Sequence, residues 1–144
     1  MLIIKHTVET TASAADIWGI WKDVTRWNTW DHGIEYSTID GPFAVGTTGT
    51  LKPKGGPLVR TLLTQVEPMK MFVDESKLFF ARIIVSHYLI ELRGKTRVTH
   101  QIEMTGPLAF VFAYSIERKM KKNLPQEMRA MVQKAERTRK TVNV

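Results

Sequence analysis

The chain has 144 residues, 43% of them hydrophobic and 24% charged, which is the size and composition of one globular domain able to bury a core. It contains no cysteine, and its four histidines (His6, His32, His87, His100) lack the close spacing of a metal-binding helix. A disulfide scaffold, a thiolate site and a cysteine nucleophile are therefore excluded, and no metal or cofactor is expected. The formal net charge of +7 is unevenly placed, because residues 1–116 hold 12 Lys/Arg against 11 Asp/Glu whereas residues 117–144 hold 9 against 3.

In chain order, residues 1–10 alternate Ile4, His6 and Val8 with Lys5, Thr7 and Glu9, the pattern of a half-buried strand. They carry no basic, apolar leader pattern, so a cytoplasmic protein is expected. Thr11 or Ser13 can cap a helix in which Asp16 complements the dipole and Ile17, Trp18, Ile20, Trp21 and Val24 form the apolar stripe. A further short helical turn follows, with Trp27 and Trp30 three residues apart on one side.

From Gly33 onward turn residues recur at Asp40-Gly41-Pro42, Gly46, Pro53 to Pro57, Glu67-Pro68 and Arg93-Gly94-Lys95. They separate strand-like runs at Ile34–Ile39, Thr47–Lys52, Val59–Val66, Lys70–Glu75, Phe79–Leu92 and Thr96–Thr105. With no helix between them, these runs predict an antiparallel meander. After Gly106-Pro107 the period becomes helical to about Thr138. Ile116, Met120, Leu124, Met128, Met131 and Ala135 keep one face in phase across Pro125, which predicts one long, kinked helix and a frayed tail over 137–144. The longest apolar run, Leu108 to Tyr114, is too short to cross a bilayer.

Four stretches carry a family resemblance: Ile17-Trp18 followed by Asp23-x3-Trp27-x2-Trp30; Gly41-Pro42-Phe43-Ala44-Val45-Gly46-Thr47; Gly94-Lys95-Thr96-Arg97-Val98-Thr99; and Gly106-Pro107-Leu108. In this order the chain resembles the START-like (SRPBCC, birch-pollen-allergen-like) superfamily, and the second stretch looks most like its polyketide cyclase/dehydrase and lipid transport branch. The resemblance implies a single α+β helix-grip domain over residues 1–144. In it a curved antiparallel sheet of about seven strands wraps around the long C-terminal helix, with two short helices after the first strand. It also implies an apolar cavity between sheet and helix that holds a hydrophobic small molecule, a lipid or a polycyclic aromatic.

Trp30, Tyr36, Met71, His87, Tyr88, His100, Met104, Phe112, Met120 and Met128 are the candidate ligand-binding residues, the methionines because thioethers adapt to irregular walls. On the strand 79–92, alternation puts Arg82, Ser86 and Tyr88 on one face and His87 on the other, and both faces are apolar, so the pattern leaves open which one lines the cavity. His100 alternates with Val98, Ile102 and Met104 and points inward, where it meets His87 or Tyr88 according to register.

Two classes of function follow. The first is binding or transport of the hydrophobic molecule. The second is a cofactor-free cyclase or dehydratase using His87, Tyr88, His100 or Arg82 as acid and base groups, against the plainer reading of these residues as satisfied core polar groups. Asp31-His32 reads as a turn. The basic stretch Arg118–Lys122 suggests a third role, as a membrane or protein adaptor that meets an anionic membrane surface. Nucleic acid is disfavoured because no aromatic residues interleave the basic cluster.

Overall fold

The computed structural model describes residues 2–142, apart from the side chains at positions 112, 113, 115 and 139–142. The first strand, β1 (Leu2–Thr10), leads to α1 (Ala14–Lys22), whose N-terminus is closed by a reciprocal capping box: the Asp16 amide donates to Ser13 Oγ and the Ser13 amide donates to the Asp16 carboxylate. The Glu91 carboxylate accepts a further bond from the Ala14 amide at 2.6 Å, so an acid projecting from the sheet also caps this helix. A 3-10 helix, η1 (Val24–Thr29), follows, with Trp27 and Trp30 both buried and their rings 6.4 Å apart.

The meander comprises β2 (Ile34–Ile39), β3 (Thr48–Pro53), β4 (Val59–Glu67), β5 (Met71–Leu78), β6 (Ala81–Leu92) and β7 (Lys95–Thr105), and α2 (Ala109–Val142) closes the fold. The strands make one curled antiparallel sheet in the order β1-β7-β6-β5-β4-β3-β2. This is the helix-grip architecture expected from the sequence. The boundaries differ in three places. Strand β5 runs on to Leu78, the turn after it is the pair Phe79-Phe80, and the β6–β7 turn is Arg93-Gly94, both at positive φ (53° and 79°), with Lys95 already in the strand. Helix α2 continues through Pro125 without interruption and extends beyond residue 137, where fraying was expected; residues 143–144 lie outside the described residues.

Register decides the faces. The pairs Phe72↔His87, His87↔His100 and His100↔His6 set one row of inward side chains across β5, β6, β7 and β1. The neighbouring row is Leu63, Asp74, Val85, Ile102 and Ile4. On this face lie α1, η1 and α2, and the core is built from Ile17, Trp18, Trp21, Trp27, Phe72, Met128 and Met131. Helix α2 crosses β7 and β1 toward the first helices: Thr10 Oγ1 donates to Glu136 at 2.6 Å, and Lys134 Nζ donates to Thr29 Oγ1 at 2.7 Å. No helix of the described residues is long and apolar enough to cross a membrane.

Candidate ligand site inside the curled sheet

The sequence points to histidines, and the structure brings them together. His87 stacks on Phe72 with ring centroids 3.8 Å apart and nearly parallel planes, and it sits 4.6 Å from the His100 ring. Trp21 packs on both histidines and on Phe72, and its indole N–H points at Met131 Sδ, 3.1 Å away. The middle of the sheet–helix space is thus filled by side chains. Burial holds both imidazoles neutral: His87 is pushed well below the usual range by desolvation and by the nearby His100, and His100 is lowered to about 3 by desolvation and by His6. Among the described residues His100 Nε2 is buried without a partner, while Nδ1 lies 4.0 Å from Glu127 Oε1. Desolvation and the adjacent, hydrogen-bonded Asp31 raise the Glu127 carboxyl to about 10. Asp31 makes the turn expected of it, its carboxylate accepting the Gly33 amide at 2.9 Å, and it also bonds Glu127. Among the described residues this cluster does not form a metal-binding group.

Several sequence candidates lie elsewhere. Tyr88 pairs with Met71 on one side and Thr99 on the other, a row on the convex face, so Tyr88 and Met71 point away from the interior. Arg82 is on the same convex face and binds Glu75 at 2.8 Å. Tyr36 is exposed beside Lys52. The physical reason is that β6 carries apolar residues on both faces while only its odd-numbered positions meet the helices. Met104 and Met128 are fully buried core, Met120 is half-buried on α2, and Phe112 lies outside the described side chains. Trp30 is buried against Trp27.

A cleft of about 290 Å³ lies between sheet and helix, lined by Ile4 and His6 of β1 and by Lys121, Leu124 and Pro125 of α2. A second, smaller pocket lies away from the helix, toward the other end of the sheet. It is lined by Val24 and Trp27 of η1, by Phe43 and Thr47 of the β2–β3 connection, and by Ile39, Gly49, Leu51, Thr61, Leu63 and Asp74 from β2 to β5. Its volume is about 20 Å³, room for one water molecule. Phe43 acts as its inner plug, standing edge-on to Phe72 at 5.0 Å and to Trp18 at 5.6 Å. Gly49 lets β3 approach β2 closely at the pocket floor, since a Cβ there would collide with the Thr38 carbonyl.

Asp74 is the group the sequence reasoning passed over. It is 8% exposed, it lies between Leu63 and Val85 on the inner face, and its carboxyl has no hydrogen-bond or ion-pair partner among the described residues. Desolvation raises it from 3.8 to about 7. A signal existed, because Asp74 is in phase with Phe72 two residues before it, and a carboxylate in phase with a core phenylalanine points into the core. Chemically, a neutral carboxyl donates one hydrogen bond and accepts others, and one poised near pH 7 also exchanges a proton readily.

Solved structures share this architecture. Those matching the chain include a hypothetical protein from Helicobacter pylori (12% identity, 93% of this chain and 88% of that one, TM-score 0.80). Zhui aromatase/cyclase from Streptomyces sp. R1128 aligns over 94% of both chains at 14% identity and a TM-score of 0.76. Norcoclaurine synthase from Thalictrum flavum, in complex with dopamine and hydroxybenzaldehyde, aligns at 16% identity over 92% of this chain and 84% of that one, with a TM-score of 0.69. A search of curated proteins found no match. The sequence profile of one family matches residues 1–136, which is most of the chain, and the protein belongs to that family, described as polyketide cyclase/dehydrase and lipid transport.

Proposed function

We propose that the protein binds a flat, largely apolar small molecule carrying a hydroxyl or carbonyl group, with its ring beside Trp27 and Phe43 and its polar atom at the Asp74 carboxyl. The observation that carries this reading is the Asp74 carboxyl, without a protein partner among the described residues and facing a pocket whose walls combine Val24, Trp27, Phe43, Leu51 and Leu63 with several threonines, a mix of apolar surface and a few polar groups that suits ligand sites. The pocket admits a ring only when Phe43 swings outward, and the segment that carries it, Gly41 to Gly46, is a loop with Gly46 at φ 92°. Family membership supports a ligand-binding or cyclase-type role, and two similar structures are an aromatase/cyclase and an enzyme bound to aromatic molecules.

A second reading, cofactor-free cyclase or dehydratase chemistry, is favoured by the value of Asp74 near neutrality. In that reading Asp74 gives or takes the proton, because His87 and His100 are sealed behind Phe72 and Trp21, and Tyr88 and Arg82 face the convex side.

Titration with 2-naphthol and with naphthalene, followed by quenching of tryptophan emission, tests the binding. Asp74→Leu is expected to weaken 2-naphthol about tenfold while leaving naphthalene nearly unchanged, the value of one lost buried hydrogen bond. Equal loss for both probes, or no binding of either by the wild type, would overturn the assignment of Asp74.

A further inference from the structure

The end of the molecule where β5 turns into β6 breaks two rules at once. Leu78 pairs with Ala81, so Phe79 and Phe80 form a two-residue hairpin turn, a place normally given to Gly, Asn or Asp. Phe80 adopts φ 52°, a left-handed conformation that is costly for a bulky side chain. Both rings are nonetheless in water, 72% and 62% exposed, edge-on to each other at 4.4 Å. Folding alone would select a glycine here.

The start of α2 lies beside this turn. The Leu108 amide donates to the Phe80 carbonyl at 3.0 Å, and Gly106, at φ 113°, comes so close that a Cβ would meet Ala81 and the Phe80 carbonyl at 2.8 Å. The first turns of α2 then expose Phe110 (73%), Val111 (53%) and Tyr114 (82%). At 3.6 residues per turn, Phe110, Tyr114, Arg118 and Lys121 follow one another along the same stripe, with Val111 and Lys122 on its flank. Aromatic residues occupy the end of the stripe near the turn. Cations occupy the part beginning about 12 Å further along the helix. Lys121 pairs with Glu117, and among the described residues Arg118, Lys119 and Lys122 have no acidic partner.

We propose that this end of the protein docks on an anionic lipid surface, with Phe79, Phe80, Phe110 and Tyr114 entering the boundary between headgroups and acyl chains and Arg118 and Lys122 meeting the lipid phosphates. The ordering of aromatic tip and basic collar matches the ordering of layers in a membrane. A second copy of the chain fits the patch less well, because two-fold pairing would bring two basic collars together with no acidic complement. The aromatic tip supplies the apolar element that the basic stretch Arg118–Lys122 alone lacks, and it lies apart from the Asp74 pocket.

The test uses flotation of the full chain with vesicles of phosphatidylcholine containing about one-third phosphatidylglycerol, against vesicles of phosphatidylcholine alone. Binding is expected only to the anionic vesicles, and it should fall about tenfold in Phe79→Ser/Phe80→Gly and again in Arg118→Glu/Lys122→Glu. The Phe80→Gly change suits the local backbone, so the first variant is expected to keep its fold, checked by circular dichroism. A Phe80→Trp variant should be quenched by brominated acyl chains beyond the wild type, whose four tryptophans are all buried. Absence of wild-type binding to anionic vesicles would overturn the proposal, as would full binding by the Phe79→Ser/Phe80→Gly variant. A wild-type dimer dispersed by that variant, without vesicle binding, would assign the patch to a second copy instead.

Discussion

Replacing Asp74 by asparagine should stabilise the protein, and only above mildly acidic pH. The carboxyl is raised from 3.8 to about 7 by burial, so the native state holds its proton more tightly than the unfolded chain does. For an acid shifted in this direction stability is lost as pH rises from about 4 to about 7, and the full penalty is present above pH 7. The shift corresponds to about 4 kcal/mol. Asparagine keeps the shape and has no charge to desolvate. The variant should therefore match the wild type at pH 4 and exceed it at pH 8 by up to about 4 kcal/mol, or about 12 °C in Tm at about 3 °C per kcal/mol for a chain of this size. Urea unfolding of both proteins at the two pH values measures the difference. If Asp74→Asn is no more stable than wild type at pH 8, or gains equally at both pH values, the carboxyl is not held unpartnered in an apolar pocket.

Four other outcomes are expected. Phe43→Ala should enlarge the pocket and tighten binding of 2-naphthol, while costing about 1–3 kcal/mol in chemical denaturation because a half-buried ring leaves the core. Tyr88→Phe and Arg82→Gln should leave affinity unchanged and shift stability by no more than about 0.5 kcal/mol, since both side chains are on the convex face; a tenfold loss of 2-naphthol affinity in either would contradict the register. Glu127→Gln should gain stability relative to wild type as pH rises above about 5, because the glutamate is held protonated in the native state up to about pH 10. Trp21→Ala should cost about 3–5 kcal/mol, as this indole is fully buried against Phe72, His87, His100 and Met131, and a loss below 1 kcal/mol would show that it does not organise the centre of the fold.

The strand order and the long helix could be read from the sequence because punctuation and period agree there: Gly and Pro separate every pair of meander strands but β5 and β6, and the apolar stripe from Ile116 to Ala135 keeps its phase through Pro125. The inward row of His6, His87 and His100 was half legible. Alternation placed His100 inside, and only the register, with His87 opposite it, decided between His87 and Tyr88. Strand β6 was ambiguous because its convex face carries Ile84 and Ile90, which the curled sheet leaves partly or largely in water. The Phe79-Phe80 turn was hidden because it contains no turn-forming residue. The pocket itself depends on Phe43 and Trp27 meeting Leu63 and Asp74 across distant parts of the chain, and no local pattern encodes that meeting.

Native mass spectrometry of the wild type and Leu63→Trp with 2-naphthol reads out whether a small molecule occupies the space between Phe43, Leu63 and Asp74. The wild type should carry one non-covalent adduct that disappears on denaturation, and Leu63→Trp, with its pocket filled, should carry none. An adduct of equal abundance on both proteins would place the ligand elsewhere and rule out binding beside Asp74.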